Sequence, residues 1–178
     1  MSYNLPVPDA ASIRAHIERC RTEFVAAARS VPAEKWQQAP PFGGWSAAEV
    51  VAHVSMVEQA IAEGARKLIG VEPRRFSLWS RLHPPLQVVA WRGMKRRSPI
   101  PLDRALLDSR EVMLGRLAEC RVNTLGLVEE NAGVDLRRWR WKHPFFGALN
   151  YYEWFRVMGY HDLRHAKQIR EIVDSFRK

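Results

Sequence analysis

Hydrophobic residues recur at alternating intervals of three and four along four long segments of this chain, which is the pattern of amphipathic helices. The first segment predicts a helix from about Asp9 to Val31. Turn-forming residues, Pro32 and then QQAPPFGG, end this helix and carry the chain to the next one. The inward positions of the first helix are Ile13, Ile17, Cys20, Phe24, Ala27 and Val31.

The second segment has a well-specified start at Ser46. Glu49 follows three residues later, which makes a capping box, and Trp45 with Val50 can form a hydrophobic staple across the same turn. His53 lies three residues after Val50 on the same face, so its imidazole is predicted to point inward. The apolar stripe of this helix is Val50, Val54, Val57, Ile61 and Leu68.

The third and fourth segments complete the helical pattern. The third is predicted from about Asp103 to Glu130, and the fourth from Asn150, where Glu153 repeats the capping box, to about Phe176. The inward residues of the third are Leu106, Met113, Leu117, Cys120 and Leu127. Those of the fourth are Tyr151, Trp154 or Phe155, Met158, His161, His165, Ile169, Ile172 and Phe176.

Two connections lack helical periodicity. Residues 71–101 form a long aromatic and basic stretch, and such a length indicates a functional segment or a crossover between helices that run the same way. Residues 134–149 alternate Arg with Trp, which fits a short extended piece or an irregular loop, and both remain open. Four long helices with no convincing strand predict an all-α fold, a four-helix bundle forming one domain over residues 1–178.

Composition supports a folded bundle and locates the excess charge. Of the 178 residues, 47% are apolar, with seven Trp and seven Phe, which is enough to build a core. The net charge of +9 divides into +6 on residues 71–101 and +3 on residues 135–143. The excess therefore belongs to the two connections and to whatever they contact. Neither a secretion signal nor a membrane-spanning run is evident, so a cytoplasmic location is expected.

The two cysteines are predicted to be structural. Cys20 and Cys120 lie on apolar stripes and lack the spacing of metal-ligand or redox pairs. A reactive thiolate needs an electropositive and partly exposed setting, which these stripes do not offer. Both are therefore interpreted as buried and reduced.

Three histidines form the candidate site. His161 and His165 lie one helical turn apart on an apolar stripe, and His53 lies on the stripe of another helix. A single buried histidine is more often a hydrogen-bonded core residue, but burying three in one interior costs desolvation that a metal ion offsets directly. The other three histidines, His16, His83 and His143, lack such partners and are interpreted as structural or surface residues.

Two polar side chains are placed to orient these ligands. Glu49 lies one turn before His53, and Gln168 lies three residues after His165. Both are equally compatible with solvated helix positions. Three neutral imidazoles around a divalent cation leave an open coordination position, where the ion could lower the pKa of bound water to about 7 or hold a thiol as thiolate.

Two sequence blocks resemble the DinB-like superfamily of metal-binding four-helix bundles. These are GGWSAAEVVAHV in the second helix and HPFFGALNYYEWFRVMGYHDLRHAKQI near the carboxyl end. The resemblance implies that His53, His161 and His165 hold one divalent ion, zinc or nickel first, and that helices two and three run parallel across the long connection. It also implies a homodimer and, since some relatives are transferases or isomerases that use low-molecular-weight thiols, a thiol of this kind as cofactor.

Two functions from different classes follow. The first is a metal-dependent enzyme, a thiol transferase or a hydrolase, whose basic connections receive an anionic or electrophilic small molecule. The second is a non-catalytic module whose metal staples the bundle, while the Trp/Arg-rich connections contact nucleic acid or an anionic membrane surface. A simpler interpretation is that Trp79, Trp91, Trp139 and Trp141 pack onto the bundle or a dimer partner. A di-iron carboxylate site is excluded because the HDLRH run lacks the Glu-x-x-His spacing.

Overall fold

The computed structural model describes residues 8–93 and 101–177, and four α-helices within them pack as a bundle. This architecture confirms the predicted all-α four-helix fold. The helices are α1 (Ala10–Arg29), α2 (Ala47–Ile69), α3 (Arg110–Glu130) and α4 (Tyr151–Ser175). None of the helices in the described ranges is both long and apolar enough to cross a membrane.

The parallel course of α2 and α3 accounts for the long connection between them. Arg66, in the last turn of α2, donates to the carbonyl of Asn123 in the second half of α3, 3.3 Å away. Val51, near the start of α2, shares one apolar cluster with Met113 near the start of α3. Because both helices point the same way, the chain must cross the length of the bundle between them.

Two capping boxes fix the starts of α2 and α4 where the sequence predicts them. The Glu49 backbone N–H donates to Ser46 Oγ (3.2 Å), and the Ser46 N–H donates to Glu49 Oε2 (2.8 Å). Asn150 and Glu153 make the same reciprocal pair at 2.9 and 2.7 Å. Each box pairs backbone donors that the first helical turn leaves without partners.

The predicted start of α3 is wrong by about two turns. Asp103 caps a separate 3₁₀ turn, Arg104–Leu106, by accepting from the Ala105 N–H at 2.9 Å. The backbone is then extended at Leu107, and Ser109 provides the true N-cap of α3. Two capping residues compete in this stretch and the later one starts the helix, so Leu106, predicted inward, is 37% exposed.

The basic segment before α4 adopts the extended alternative. Strands β1 (Arg140–His143) and β2 (Gly147–Asn150) pair antiparallel, with Arg140 opposite Asn150. Trp141 stacks on Trp154 of α4 with ring centroids 4.9 Å apart. The Trp139 indole donates to the Val71 carbonyl at 3.0 Å. These two tryptophans pack onto the bundle, as the simpler interpretation expects.

The connection between α2 and α3, called the crossover from here on, exposes more of its tryptophans than the hairpin formed by β1 and β2. Leu86 is buried, but Trp79 is 83% exposed and Trp91 is also largely exposed. Short 3₁₀ turns at Trp79–Arg81 and Leu86–Ala90 give the segment its shape. Packing onto the bundle therefore accounts for two of the four tryptophans in the connections and not for these two.

A buried layer of charge divides the core. Two apolar clusters lie on either side of it: one contains Ile17 of α1 and Phe155 of α4, and the other contains Phe24 and Ile169 from the same two helices. The layer takes one charged side chain from each helix, namely Arg21, Glu58, Arg121 and Asp162.

Candidate metal centre

Three imidazoles converge where α4 crosses α2. His161 Nε2 lies 3.2 Å from His53 Nε2 and 3.1 Å from His165 Nε2. One nitrogen from each ring lies within 4.8 Å of the other two. The bundle therefore brings together the three histidines that the sequence singles out. Because α4 runs against α2, residues from the first half of one and the middle of the other reach the same level.

Hydrogen bonding among the rings cannot satisfy this arrangement. Both short contacts end on His161 Nε2, which in a neutral imidazole either donates one proton or offers one lone pair. At least one of the two contacts is then between nitrogens that lack a shared proton. A cation, in contrast, accepts a lone pair from every ring. Tetrahedral zinc with Zn–N bonds of about 2.0 to 2.1 Å separates its ligand nitrogens by about 3.3 to 3.4 Å, which is close to the two separations at His161 Nε2.

The three rings are electrostatically prepared to act as ligands. Burial lowers the pKa of His53 to about 4. Burial also lowers the pKa of His161 and of His165 well below the usual value, and the charges of the neighbouring rings add to the effect. All three imidazoles are therefore neutral near pH 7 and need lose no proton to bind a cation.

Gln168 and Trp45 each contact one ring of the triad. His165 Nδ1 lies 2.8 Å from Gln168 Oε1, so the ring donates to the amide and leaves its Nε2 lone pair free. The Trp45 ring lies against His53 with centroids 5.0 Å apart. A hydrogen-bond partner such as Gln168 fixes both the orientation and the tautomer of a ligating ring.

Glu49 does not take the role that the sequence suggested for it. Its Oε2 accepts from the Ser46 backbone, and its Oε1 pairs with Arg104 at 2.8 Å. Both carboxylate oxygens are therefore committed to the start of α2 and to the segment before α3. The capping box that identifies this residue in the sequence therefore gives it a partner other than His53.

The charged layer beside the triad was missed by the sequence prediction. The Arg21 guanidinium donates to Asp162 (3.0 and 3.2 Å) and to Glu58. Arg121 donates to Glu58 (2.9 and 3.1 Å), to Asp162 (3.0 Å) and to the Ile17 carbonyl (2.7 Å). Each cation thus contacts both anions, and Asp162 directly follows the ligand candidate His161.

A spacing signal for this layer exists in the sequence. Each of the four charged residues lies four positions after an inward apolar residue, and therefore on the same helix face. The apolar residues are Ile17, Val54, Leu117 and Met158. Although burial alone disfavours a charged guanidinium, the carboxylates of Asp162 and Glu58 raise the pKa of Arg21 above its usual value.

The other histidines lie outside the triad and have partners of their own. His16 Nε2 lies 3.1 Å from the Arg156 carbonyl, and His83 Nε2 lies 3.6 Å from a carboxylate oxygen of Glu153. His143 Nδ1 accepts from the Phe145 N–H at 3.0 Å. These contacts are compatible with the prediction that all three are structural or surface residues.

Neither cysteine has the environment of a reactive thiolate. Cys20 and Cys120 are buried, and burial raises the pKa of each thiol to about 11. A groove of about 470 Å³ between α2 and α3 reaches Cys120 but is not lined by any residue of the triad. A thiol that remains protonated at neutral pH is a poor nucleophile, so the histidine triad remains the candidate site.

Comparisons with known proteins bear on the family and the fold of the chain. The family model described as the DinB superfamily matches residues 16–169. An uncharacterized protein of Bacillus subtilis (strain 168), YuaE, is 26% identical over 146 residues, which cover 82% of this chain and 87% of that protein. The crystal structure of TT2238, described as a four-helix bundle protein, superposes with a TM-score of 0.58 at 24% identity, covering 90% of this chain and 96% of the other.

Proposed function

The chain belongs to the DinB superfamily, and from that premise we propose that it is a metal-dependent enzyme with one divalent cation on His53, His161 and His165. Zinc and nickel are the first candidates because imidazole nitrogen suits both ions. Three protein ligands leave a further coordination position open, as in catalytic zinc sites. A cation bound there acts as a Lewis acid that promotes deprotonation of a thiol or a water molecule.

The observation that carries this proposal is the meeting of two short contacts at one nitrogen, His161 Nε2. The same atom cannot satisfy both neighbours by hydrogen bonding, whereas a shared cation satisfies all three rings. The cost of burying three imidazoles supports the same conclusion, because it is offset when their lone pairs bind an ion.

Positive charge near the triad supports a proposal for the substrate class. Arg92 and Arg164 both lie near His165, and the connections carry the whole net positive charge of the chain. We therefore propose an anionic or electrophilic small molecule as the substrate, for which a cation bound by the triad would supply a low-molecular-weight thiol or water as the nucleophile. The residues of the chain contribute binding and orientation: Gln168 holds the tautomer of His165, and Trp45 lies against His53.

The test is a zinc and nickel titration of protein purified without a histidine tag. We expect about one equivalent per chain, with His161→Gln weakening binding by more than the 10- to 100-fold that loss of an outer hydrogen-bond partner causes. His16→Gln is the matched control, since His16 is a partly buried histidine outside the triad. Retention of less than about a tenth of an equivalent, with no measurable affinity, would remove the proposal.

A second measurement separates thiol from water as the activated group. Cobalt-substituted protein should develop a thiolate-to-metal charge-transfer band when a small thiol is added, because a coordinated thiol loses its proton. A band that appears in the wild-type protein and not in His161→Gln supports thiol transfer. Its absence, with hydrolysis of an activated ester that depends on the metal, supports water instead.

A second candidate function is suggested by exposed apolar side chains at residues 78–82 of the crossover. Leu78, Trp79 and Leu82 are 75%, 83% and 68% exposed, and Arg74 and Arg75 beside them are exposed as well. Large apolar side chains flanked by arginines suit the interface of an anionic bilayer, where the rings and alkyl groups enter the headgroup region. We propose peripheral docking there as the alternative to catalysis.

Vesicle sedimentation tests this alternative. Binding to vesicles with about a quarter phosphatidylserine should weaken as salt rises and should be lost in the double variant Trp79→Ser, Leu82→Ser. Val122→Ser is the control, because Val122 is 67% exposed on α3, away from the crossover. Absence of vesicle binding contradicts docking, and salt-sensitive binding to duplex DNA in its place assigns the basic connections to nucleic acid.

A further inference from the structure

Residues 89–92 of the crossover are held along α4, the helix that carries two of the three ligand candidates. Lys167 donates to the carbonyl of Ala90 at 3.0 Å. The Arg164 guanidinium donates to the carbonyl of Trp91 and lies 3.5 Å from that of Val89. Residues 89–91 therefore lie along the side of α4 next to His165, and Arg92 follows them directly.

Arg92 continues this contact with its side chain. Its Nε and Nη2 donate to the two carboxylate oxygens of Glu171 at 2.9 and 2.7 Å, a bidentate pair that fixes the plane of the guanidinium. Its Nη1 donates to the Gln168 side chain at 3.1 Å. Because a guanidinium has no acceptor, the Gln168 atom that faces it must be the oxygen and not the NH₂ group.

The same oxygen faces His165. Gln168 Oε1 lies 2.8 Å from His165 Nδ1, and an amide oxygen accepts hydrogen bonds and never donates them. His165 Nδ1 therefore carries the proton, which leaves the lone pair on Nε2. Nε2 is the atom that lies 3.1 Å from His161 Nε2 in the triad. Arg92 thus determines the amide orientation, and the amide determines the tautomer.

We infer that Arg92 is a positioning residue for the metal centre, which holds His165 in its ligating tautomer through Gln168; this rests on the proposed metal site. Without Arg92, the Gln168 amide is free to turn its NH₂ group toward Nδ1. The imidazole then prefers the proton on Nε2, which removes the lone pair that a cation needs. Arg92 therefore couples the crossover to the affinity of the site without itself belonging to the triad.

Zinc affinity tests this inference with matched variants. Arg92→Met should bind zinc 10- to 100-fold more weakly than the wild type, the usual effect of losing an outer partner of a ligand. Arg75→Met removes the same charge from an exposed position in the same segment and should stay within about twofold of the wild type. Arg92→Lys should restore much of the affinity, because an ammonium group also donates and never accepts.

A double-mutant cycle separates positioning from general destabilisation. Gln168→Leu should weaken zinc binding about as much as Arg92→Met, and the double variant should be no weaker than either single variant, because both lie on one path. Additive losses, or Arg92→Met within twofold of the wild type, would overturn the inference.

The tautomer itself can be read without metal. Nitrogen NMR of the metal-free protein should find the His165 proton on Nδ1 in the wild type and redistributed toward Nε2 in Arg92→Met. An unchanged tautomer in the variant overturns the inference. Failure of the wild-type protein to bind zinc, with this NMR shift still observed, would instead defeat the proposed function and leave the contact between Arg92 and Gln168 intact.

Discussion

His143 carries an imidazole that the fold keeps neutral. Its ring packs against Trp154 with centroids 4.8 Å apart, and its Nδ1 accepts a hydrogen bond from the Phe145 N–H. Burial, together with the charge of His83, lowers the pKa of His143 to about 4, whereas an unfolded histidine titrates near 6.5. Between these values the unfolded chain binds a proton that the folded chain does not. The free energy of unfolding therefore falls as the pH falls through this window.

Replacement of the His143 ring should reduce the pH dependence of the free energy of unfolding. In metal-free protein, the urea midpoint should fall less between pH 6.5 and 4.5 for His143→Gln than for the wild type. The reason is that the variant lacks one difference in proton binding between the folded and unfolded chains. Above pH 7 the two proteins should respond to pH in parallel. Urea denaturation across this range is the measurement, and equal slopes below pH 6.5 would show that His143 is not held neutral.

At the scale of elements, the hairpin and the crossover meet at Gly147. This residue has φ +72, and a Cβ built on it would lie 2.5 Å from the carbonyl oxygen of Ser80. The close approach holds the 3₁₀ turn at Trp79–Arg81 against β2, with the Trp79 side chain outward. Glycine is thus required here both for the backbone conformation and for the space.

Two glycine substitutions separate these requirements. Gly133 has φ +79 but no atom within 4 Å of its built Cβ, so Gly133→Ala tests backbone strain alone, about 1 kcal/mol. Gly147→Ala should cost at least about 1 kcal/mol more, because the crossover must also move. Urea denaturation gives the free energies, and trypsin should cut faster after Arg81 in Gly147→Ala. Equal effects of the two changes would mean that the contact with Ser80 is unimportant.

At the scale of the whole molecule, the charged layer sets the relative heights of the helices. Arg21, Glu58, Arg121 and Asp162 come from four different helices, and each cation contacts both anions. Sliding any helix by one turn would leave a charge without its partner between the two apolar clusters. Since His161 precedes Asp162 directly, the register fixed by this layer is also the register that aligns the triad.

Removal of one member of the layer should therefore be costly. Arg121→Met leaves two carboxylates sharing one guanidinium in the core, and we expect a loss of about 3 to 5 kcal/mol in the free energy of unfolding. Arg116→Met, five residues earlier on α3, removes an exposed ion pair with Asp108 and should cost less than about 1 kcal/mol. Urea denaturation compares them, and similar costs would deny the layer its structural role.

Local signals made most of the fold and the triad predictable. The 3.6-residue period revealed all four helices, and the capping boxes at Ser46 and Asn150 located two of their starts correctly. The start of α3 was not predictable in this way, because Asp103 and Ser109 are both good N-cap residues and each caps an element of its own. Helical spacing also marked His161 and His165 as neighbours, since the helix itself brings them together.

By itself, the sequence determined what is local: helices with apolar faces, their caps, and two imidazoles one turn apart. Tertiary structure alone decided which side chains from different helices meet. It brought His53 to His161, took Glu49 away from the site, paired the four buried charges and directed Arg92 to Gln168. The physical reason is that helical periodicity fixes the face on which a residue lies, whereas the register between helices depends on the packing and charge pairing of the whole core.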